Sequence, residues 1–301
     1  MFKEALGQAA GDGRPFVECL GERGILAGVK VDEGLEAMEG LEPETHTRGL
    51  ETLAGRCDEY VSRGAKFAKW RAALRVGAAG GGARAMPSDA CAARNAEELA
   101  EYAAVCQARG LCPIVEPELL IEGDHSARAF AEASQRVIAE CTKALWAKGV
   151  RLEGALLKPQ MMIPGQACAE RLAPGDVAAL TLDVMRRVVP AAVPGIMFLS
   201  GGQTEEEATV HLDALNRRAR ELGPGAAPWA LSFSFGRALQ AGVLRIWAAD
   251  RSRRAEAQAM AAAVARANSL AALGRWADAG EAHPGAGGGS LVETFRGFTK
   301  H

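Results

Sequence analysis

An α/β barrel of the (β/α)8 type is the fold class this 301-residue sequence predicts, and three observations predict it. Six apolar runs each close on polar residues, amphipathic helical stretches separate them, and the polar markers at 30, 69, 116, 158, 200 and 234 recur every 34 to 47 residues. That spacing suits one strand and one crossover helix per unit. Polar residues at every strand end favour a barrel, whose site is assembled from all the strand ends. A doubly wound sheet would instead carry a glycine-rich phosphate turn. The cluster Gly80, Gly81, Gly82 follows no dinucleotide fingerprint and reads as a loop.

The elements follow in order. GILAGVKVD (24 to 32), KFAKWR (66 to 71), CPIVEPE (112 to 118), LEGALLKPQ (152 to 160), GIMFLSGG (195 to 202) and WALSFSFGR (229 to 237) read as buried strands with function at their carboxyl ends. Helices are expected over 48 to 63, 96 to 110, 127 to 149, 174 to 189, 204 to 221 and 252 to 273. In the stretch 96 to 110, Leu99, Tyr102, Ala103 and Cys106 share a face, and Gly110 supplies the left-handed stop. Six strands are found where a closed barrel needs eight, so the expectation is an incomplete barrel domain over 1 to 275 and a glycine-rich, flexible tail over 276 to 301.

Composition narrows the function classes. Lysine plus arginine number 35 against 37 acidic residues, so the whole-chain field suggests neither nucleic acid nor an anionic membrane. No run of about 18 apolar residues is present to span a bilayer. Seven cysteines without a Cys-x-x-Cys pair read as reduced thiols of an intracellular protein, and five scattered histidines offer no metal ligand set, so no cofactor is expected. The first 16 residues have neither a signal-peptide core nor transit-peptide composition.

Lys158 is the most informative residue. A single lysine at a strand end is usually a surface anchor. Delivered by an apolar strand among five similar strand ends, it points to covalent chemistry, because burial penalises an ammonium and a neutral amine attacks a carbonyl. Strand periodicity places Lys30 with Asp32, Lys69 with Arg71, Glu116 with Glu118 and Ser232 with Ser234 on shared faces. Such pairs suit a structural ion-pair network as well as catalysis, and their coincidence at successive strand ends favours catalysis. A cation such as Lys69 disfavours protonation of a neighbouring amine, the iminium formed with a ketone is an electron sink, and a carboxylate such as Glu116 shuttles protons. That set performs aldol cleavage or its reverse. Ser200, Gly201 and Gly202 offer a hydroxyl and backbone amides to one phosphate, joined by Gly236 and Arg237, while Lys30 and Arg71 suit a second.

The runs GVKVDEG, GAKFAKWR, PIVEPE, LEGALLKP, GIMFLSGGQ and SFSFGRALQ resemble, in order and spacing, the class I fructose-1,6-bisphosphate aldolases, over nearly the whole chain. The resemblance implies cleavage of fructose 1,6-bisphosphate to dihydroxyacetone phosphate and glyceraldehyde 3-phosphate. It implies Lys158 as the Schiff-base lysine, Glu116 as general acid and base, Lys69 as an aid to cleavage and Glu118 as a helper in carbinolamine chemistry. It further implies Ser200, Gly201, Gly236 and Arg237 around the ketone-end phosphate, and Lys30 and Arg71 at the other end. Sugar bisphosphates and triose phosphates are the implied small-molecule partners. A homotetramer of eight-stranded barrels in glycolysis, gluconeogenesis or the Calvin cycle is implied, in the cytoplasm or, on the RANSLAALGRW and VPGIMFLSGGQ runs, the plastid stroma.

Two departures complete the reading. The family's first strand ends in an Ala-x-Asp-Glu-Ser type motif, absent here, so the chain is expected to begin part-way through its barrel without the family's first two strands. The family's closing tyrosine is also absent, since no tyrosine follows Tyr102. The alternative is therefore a truncated or non-catalytic relative retaining phosphate-binding and oligomer surfaces.

Overall fold

The computed structural model describes residues 3–78 and 85–287. The glycine cluster at 80 to 82 and the last part of the tail, 288 to 301, lie outside the described residues. The chain divides into two compact units.

The first unit comprises residues 1–119, 136–158 and 188–194. It opens with helix α1 (Phe16–Gly21) and strand β1 (Gly28–Lys30), then a hairpin of β2 (Leu35–Ala37) and β3 (Thr45–Thr47). Helix α2 (Leu53–Ser62) leads to β4 (Phe67–Leu74), and a second small hairpin pairs β5 (Gly77–Ala78) with β6 (Ala85–Met86). Helix α3 (Asp89–Ala108), strand β7 (Cys112–Leu119), much of helix α4 (Ala127–Ala147) and strand β8 (Leu156–Leu157) complete it. β1, β4, β7 and β8 lie side by side and parallel. Their register sets Lys30 opposite Lys69, Arg71 opposite Glu116, and Val115 opposite Leu157.

Packing beneath these strands explains why that register holds. On β4 the side chains alternate, with Ala68 and Trp70 buried while Lys69 and Arg71 are only partly covered. Trp70 stacks on Tyr102 of α3 at 5.5 Å between centroids. The Tyr102 hydroxyl donates to the Ala68 carbonyl at 2.7 Å and accepts from the Ile114 N–H at 3.1 Å, pinning helix α3 to both strands. Burial pushes the Tyr102 phenol well above its ordinary pKa, so it remains a donor throughout the physiological range. Gly28 gives a further constraint: a Cβ there would meet the Phe67 ring at 2.1 Å, so only glycine lets β1 lie against β4.

The second unit comprises residues 120–135, 159–187 and 195–301. It holds helix α5 (Pro174–Val188), the parallel strands β9 (Gly195–Phe198) and β10 (Ala230–Phe233), and helices α6 (Glu205–Glu221), α7 (Arg237–Ala249), α8 (Arg254–Ala271) and α9 (Trp276–Ala279). Thr204 and Glu207 cap α6 reciprocally, a capping box that satisfies two amides at its start. Within the segment assigned to the tail, Trp276 and His283 are buried.

The count of six strands is corrected here. Each apolar run does contain a parallel strand, but ten strands occur among the described residues. The four additional ones form the two hairpins, and they escaped because strands of two or three residues carry no readable period. β2 is exposed at all three positions, so no apolar alternation marks it. Helix α3 also starts seven residues before its expected beginning at 96, because Ser88 caps it by accepting from the Cys91 N–H at 3.1 Å.

Candidate functional site

The charged strand ends of the first unit converge. Lys158 directly follows β8, and its backbone N–H donates to the Val115 carbonyl at 2.7 Å, continuing the ladder one residue past the strand. That bond carries Lys158 alongside Glu116, and the Lys158 Nζ lies 2.9 Å from Glu116 Oε1. The other oxygen, Oε2, lies 2.8 Å from Lys69 Nζ. Lys69 faces Ile114 in the register, so it reaches Glu116 diagonally, two residues further along β7. Asp32, just beyond β1, places Oδ2 3.6 Å from Lys69 Nζ and Oδ1 2.6 Å from Lys30 Nζ. The sequence Lys30, Asp32, Lys69, Glu116, Lys158 is thus one line of alternating charge. Beside it, the Arg71 guanidinium pairs with Glu118.

Burial sets the electrostatics. The Lys158 side chain is 12% exposed and that of Glu116 5%, so water screens their pairing weakly. Burial by itself pushes the Glu116 carboxyl up, but the ammonium groups of Lys69 and Lys158 outweigh it and hold the carboxyl below its usual range. Burial pulls Lys69 down, and the carboxylates of Glu116 and Asp32 more than reverse it, leaving Lys69 above an ordinary lysine. Arg71 is likewise held charged, burial being outweighed by Glu118. A carboxylate within hydrogen-bond distance of an amine is an acceptor for the proton that amine must lose before it can attack a carbonyl.

Sequence reasoning grouped residues by strand face. Strand spacing suggests Lys69 beside Lys158 as a repelling cation, whereas the structure sets Glu116 between them. The same spacing pairs Asp32 with Lys30 but gives Asp32 no role, although its contact with Lys69 makes it a member of the cluster. The signal was present in the i, i+2 spacing of Lys30 and Asp32, which places both on one face.

In the second unit the corresponding strand ends are built differently. Ser200 lies two residues beyond β9 and is 7% exposed, with its carbonyl accepting from the Gln203 N–H at 3.2 Å in a tight turn. Gly201 and Gly202 form that turn. Gly202 has φ +81°, a left-handed conformation that favours glycine, and a Cβ would also meet Ile121 Cδ1 at 2.5 Å. Gly236 is the N-cap of α7 and has open space around it, which leaves the first-turn amides of a 13-residue helix without a capping side chain. Arg237, first in that helix, is half-buried and has no ion-pair partner among the described residues. Amides at a helix start and a guanidinium with no ion-pair partner among the described residues suit an anion. Among the described residues no three His, Cys, Asp or Glu side chains are grouped as a metal would need, and no helix is long and apolar enough to cross a membrane.

The comparisons with known proteins agree with this chemistry. Residues 1–294 match the family model described as fructose-bisphosphate aldolase class-I. The cytoplasmic isozyme of fructose-bisphosphate aldolase from Spinacia oleracea is 44% identical over 295 residues, covering 98% of this chain and 78% of the spinach protein. Fructose-bisphosphate aldolase 5, cytosolic, of Arabidopsis thaliana is 46% identical over 276 residues, or 92% of this chain and 74% of that protein. Among solved structures, the fructose-bisphosphate aldolase of Plasmodium falciparum, crystallised in complex with TRAP and a small-molecule inhibitor, superposes with a TM-score of 0.85 at 45% identity, covering 91% of this chain and 76% of that one.

These matches define a carbon–carbon lyase, and the chain belongs to the class I fructose-bisphosphate aldolase family. It catalyses the reversible aldol cleavage of fructose 1,6-bisphosphate through a lysine Schiff base, with sugar phosphates as substrates. The expectation of a truncated, six-stranded barrel is corrected by the same findings. The likeness to a solved aldolase extends over nine-tenths of the chain, and the fold is the family's (β/α)8-like barrel, with more strands than the six apolar runs announced. The non-catalytic alternative gives way to the enzyme.

Proposed function

We propose that Lys158 is the lysine that forms the Schiff base and that Glu116 is its proton acceptor and donor. One observation carries the reading: Glu116 is bound on one oxygen by Lys158 at 2.9 Å and on the other by Lys69 at 2.8 Å. When the ketone arrives, the Lys158 proton passes to Glu116 and the neutral amine adds to the carbonyl carbon. The adduct's nitrogen passes one of its two protons to the new alkoxide, giving the neutral carbinolamine, and Glu116, now protonated, returns its proton to that hydroxyl, which leaves as water and gives the iminium. A carboxylate then removes the hydroxyl proton at the next carbon but one, the carbon–carbon bond breaks, and its electron pair neutralises the iminium as an enamine. Lys69, held charged, balances the carboxylate through these transfers. Glu118, gripped by Arg71, is the second acid and base of the carbinolamine steps.

Lys30 and Arg71 bind one substrate phosphate in this reading, and Ser200, Gly201, Gly202, Gly236 and Arg237 bind the ketone-end phosphate. The names of the spinach and Arabidopsis relatives support a cytoplasmic place over a plastid one, and the family match supports a role in glycolysis. A homotetramer is the assembly we propose, to be read by light scattering.

Borohydride reduction in the presence of dihydroxyacetone phosphate tests the assignment. A single reduced adduct on the peptide containing Lys158, absent in Lys158→Ala, is expected. An adduct on another lysine would sink it.

A further inference from the structure

We propose that Asp32 is a positioning residue for the cleavage reaction, holding Lys69 against Glu116 and keeping Lys30 parked until a phosphate takes it. The inference rests on the reading of Lys158 and Glu116 above and extends it to a residue outside that set. Three contacts support it. Asp32 divides its two oxygens, Oδ1 to Lys30 at 2.6 Å and Oδ2 to Lys69 at 3.6 Å. The Arg71 backbone N–H donates to Oδ2 at 3.4 Å, tying the carboxylate to β4. The Asp32 side chain is 6% exposed, so its charge acts in a poorly screened place.

Asp32 meets two cations, and they differ in freedom. Lys69 has a second carboxylate, Glu116, at 2.8 Å, whereas Lys30 is one-third exposed and, among the described residues, binds only Asp32, through its side chain and its carbonyl at 2.8 Å. An entering phosphate can therefore exchange with Asp32 for Lys30, and the released carboxylate then keeps Lys69 as its lysine partner while the Arg71 N–H still holds it to β4. Substrate binding at one end is in this way coupled to the proton balance at the other.

The test compares Asp32→Asn and Asp32→Glu in the 301-residue chain by kcat, KM for fructose 1,6-bisphosphate, pH profile and thermal melting. The groups facing Lys69 are Glu116 from β7, Lys30 from β1, Asp32 from beyond β1 and Arg71 from its own strand, with Lys158 on the far oxygen of Glu116. Asp32→Asn is expected to lower kcat about 100-fold, as small misplacements near reacting groups do, without raising KM, because Lys30 is freed for phosphate. Its alkaline limb moves to lower pH, since Lys69 loses one of two carboxylates favouring its charge. Asp32→Glu keeps the charge and recovers the limb. Folded Asp32→Asn with the wild-type kcat and limb overturns the proposal. So does a loss equal at every pH that Asp32→Glu shares and that tracks a lowered melting temperature. Absence of the borohydride adduct at Lys158 in the wild type marks the separate failure of the underlying assignment.

Discussion

The strand ends of the two units solve different problems. In the first, five side chains of alternating charge, from Lys30 to Lys158, are locked to one another at distances of 2.6 to 3.6 Å. In the second, the candidate binding elements are a hydroxyl, turn glycines, a helix start and one arginine without an ion-pair partner among the described residues. Under the proposed assignment, the difference follows from the work each set would do. A proton relay needs donors and acceptors already in contact, so its groups neutralise each other before substrate arrives. An anion site needs donors left uncommitted, so its charge waits for the ligand.

The sharpest way to break this comparison is to remove the shared carboxylate. Glu116→Gln is expected to lower kcat by about 100-fold to 10,000-fold, the usual range for a general acid and base, with a smaller change in KM. It also leaves two largely buried ammonium groups without their central partner, so thermal unfolding should show a loss of about 3–5 kcal/mol. An unchanged melting temperature would mean that water reaches the cluster more freely than its burial indicates.

The pH dependence of stability sharpens the same point. The Glu116 carboxyl is depressed in the folded chain, so its contribution is present above the ordinary carboxylate range and is lost as pH falls through its lowered value. Lys69 is raised, so its contribution is complete below the ordinary lysine range and is lost as pH rises through its elevated value. Denaturant melts should therefore show a plateau across neutrality, and Glu116→Gln should flatten its acid edge.

Arg237→Ala addresses the second unit. Losing charge-assisted hydrogen bonds of about 1.5–3 kcal/mol should raise KM for fructose 1,6-bisphosphate by roughly 10-fold to 100-fold, leaving kcat within a few fold. A fall in kcat without a change in KM would move this arginine from holding the substrate to acting in the reaction. Smallest is Thr204→Ala, which removes the α6 capping box and should cost about 1 kcal/mol in unfolding experiments while leaving turnover unchanged.

Much of the site was legible because strand periodicity is a property of single strands. Lys69 with Arg71 and Glu116 with Glu118 had to share faces once each run was read as a strand, whatever lay next to it. Contacts between strands were not legible in that way. That Glu116 touches both Lys69 and Lys158 depends on a register in which Val115 faces Leu157 and Lys69 faces Ile114, and a slip of one residue would turn these side chains to opposite faces. The hairpins β2/β3 and β5/β6 were hidden for a related reason, being too short for alternation to rise above composition.

The amino-acid sequence by itself determined the alternation of strand and helix, the strand ends that carry chemistry and the family whose motifs they match, since all three reside in local order along the chain. The tertiary structure decided which charges meet. Tyr102 bonding β4 and β7 at once, and Gly28 admitting the Phe67 ring, hold the parallel strands in one register, and that register converts five separate ionisable residues into a single connected line.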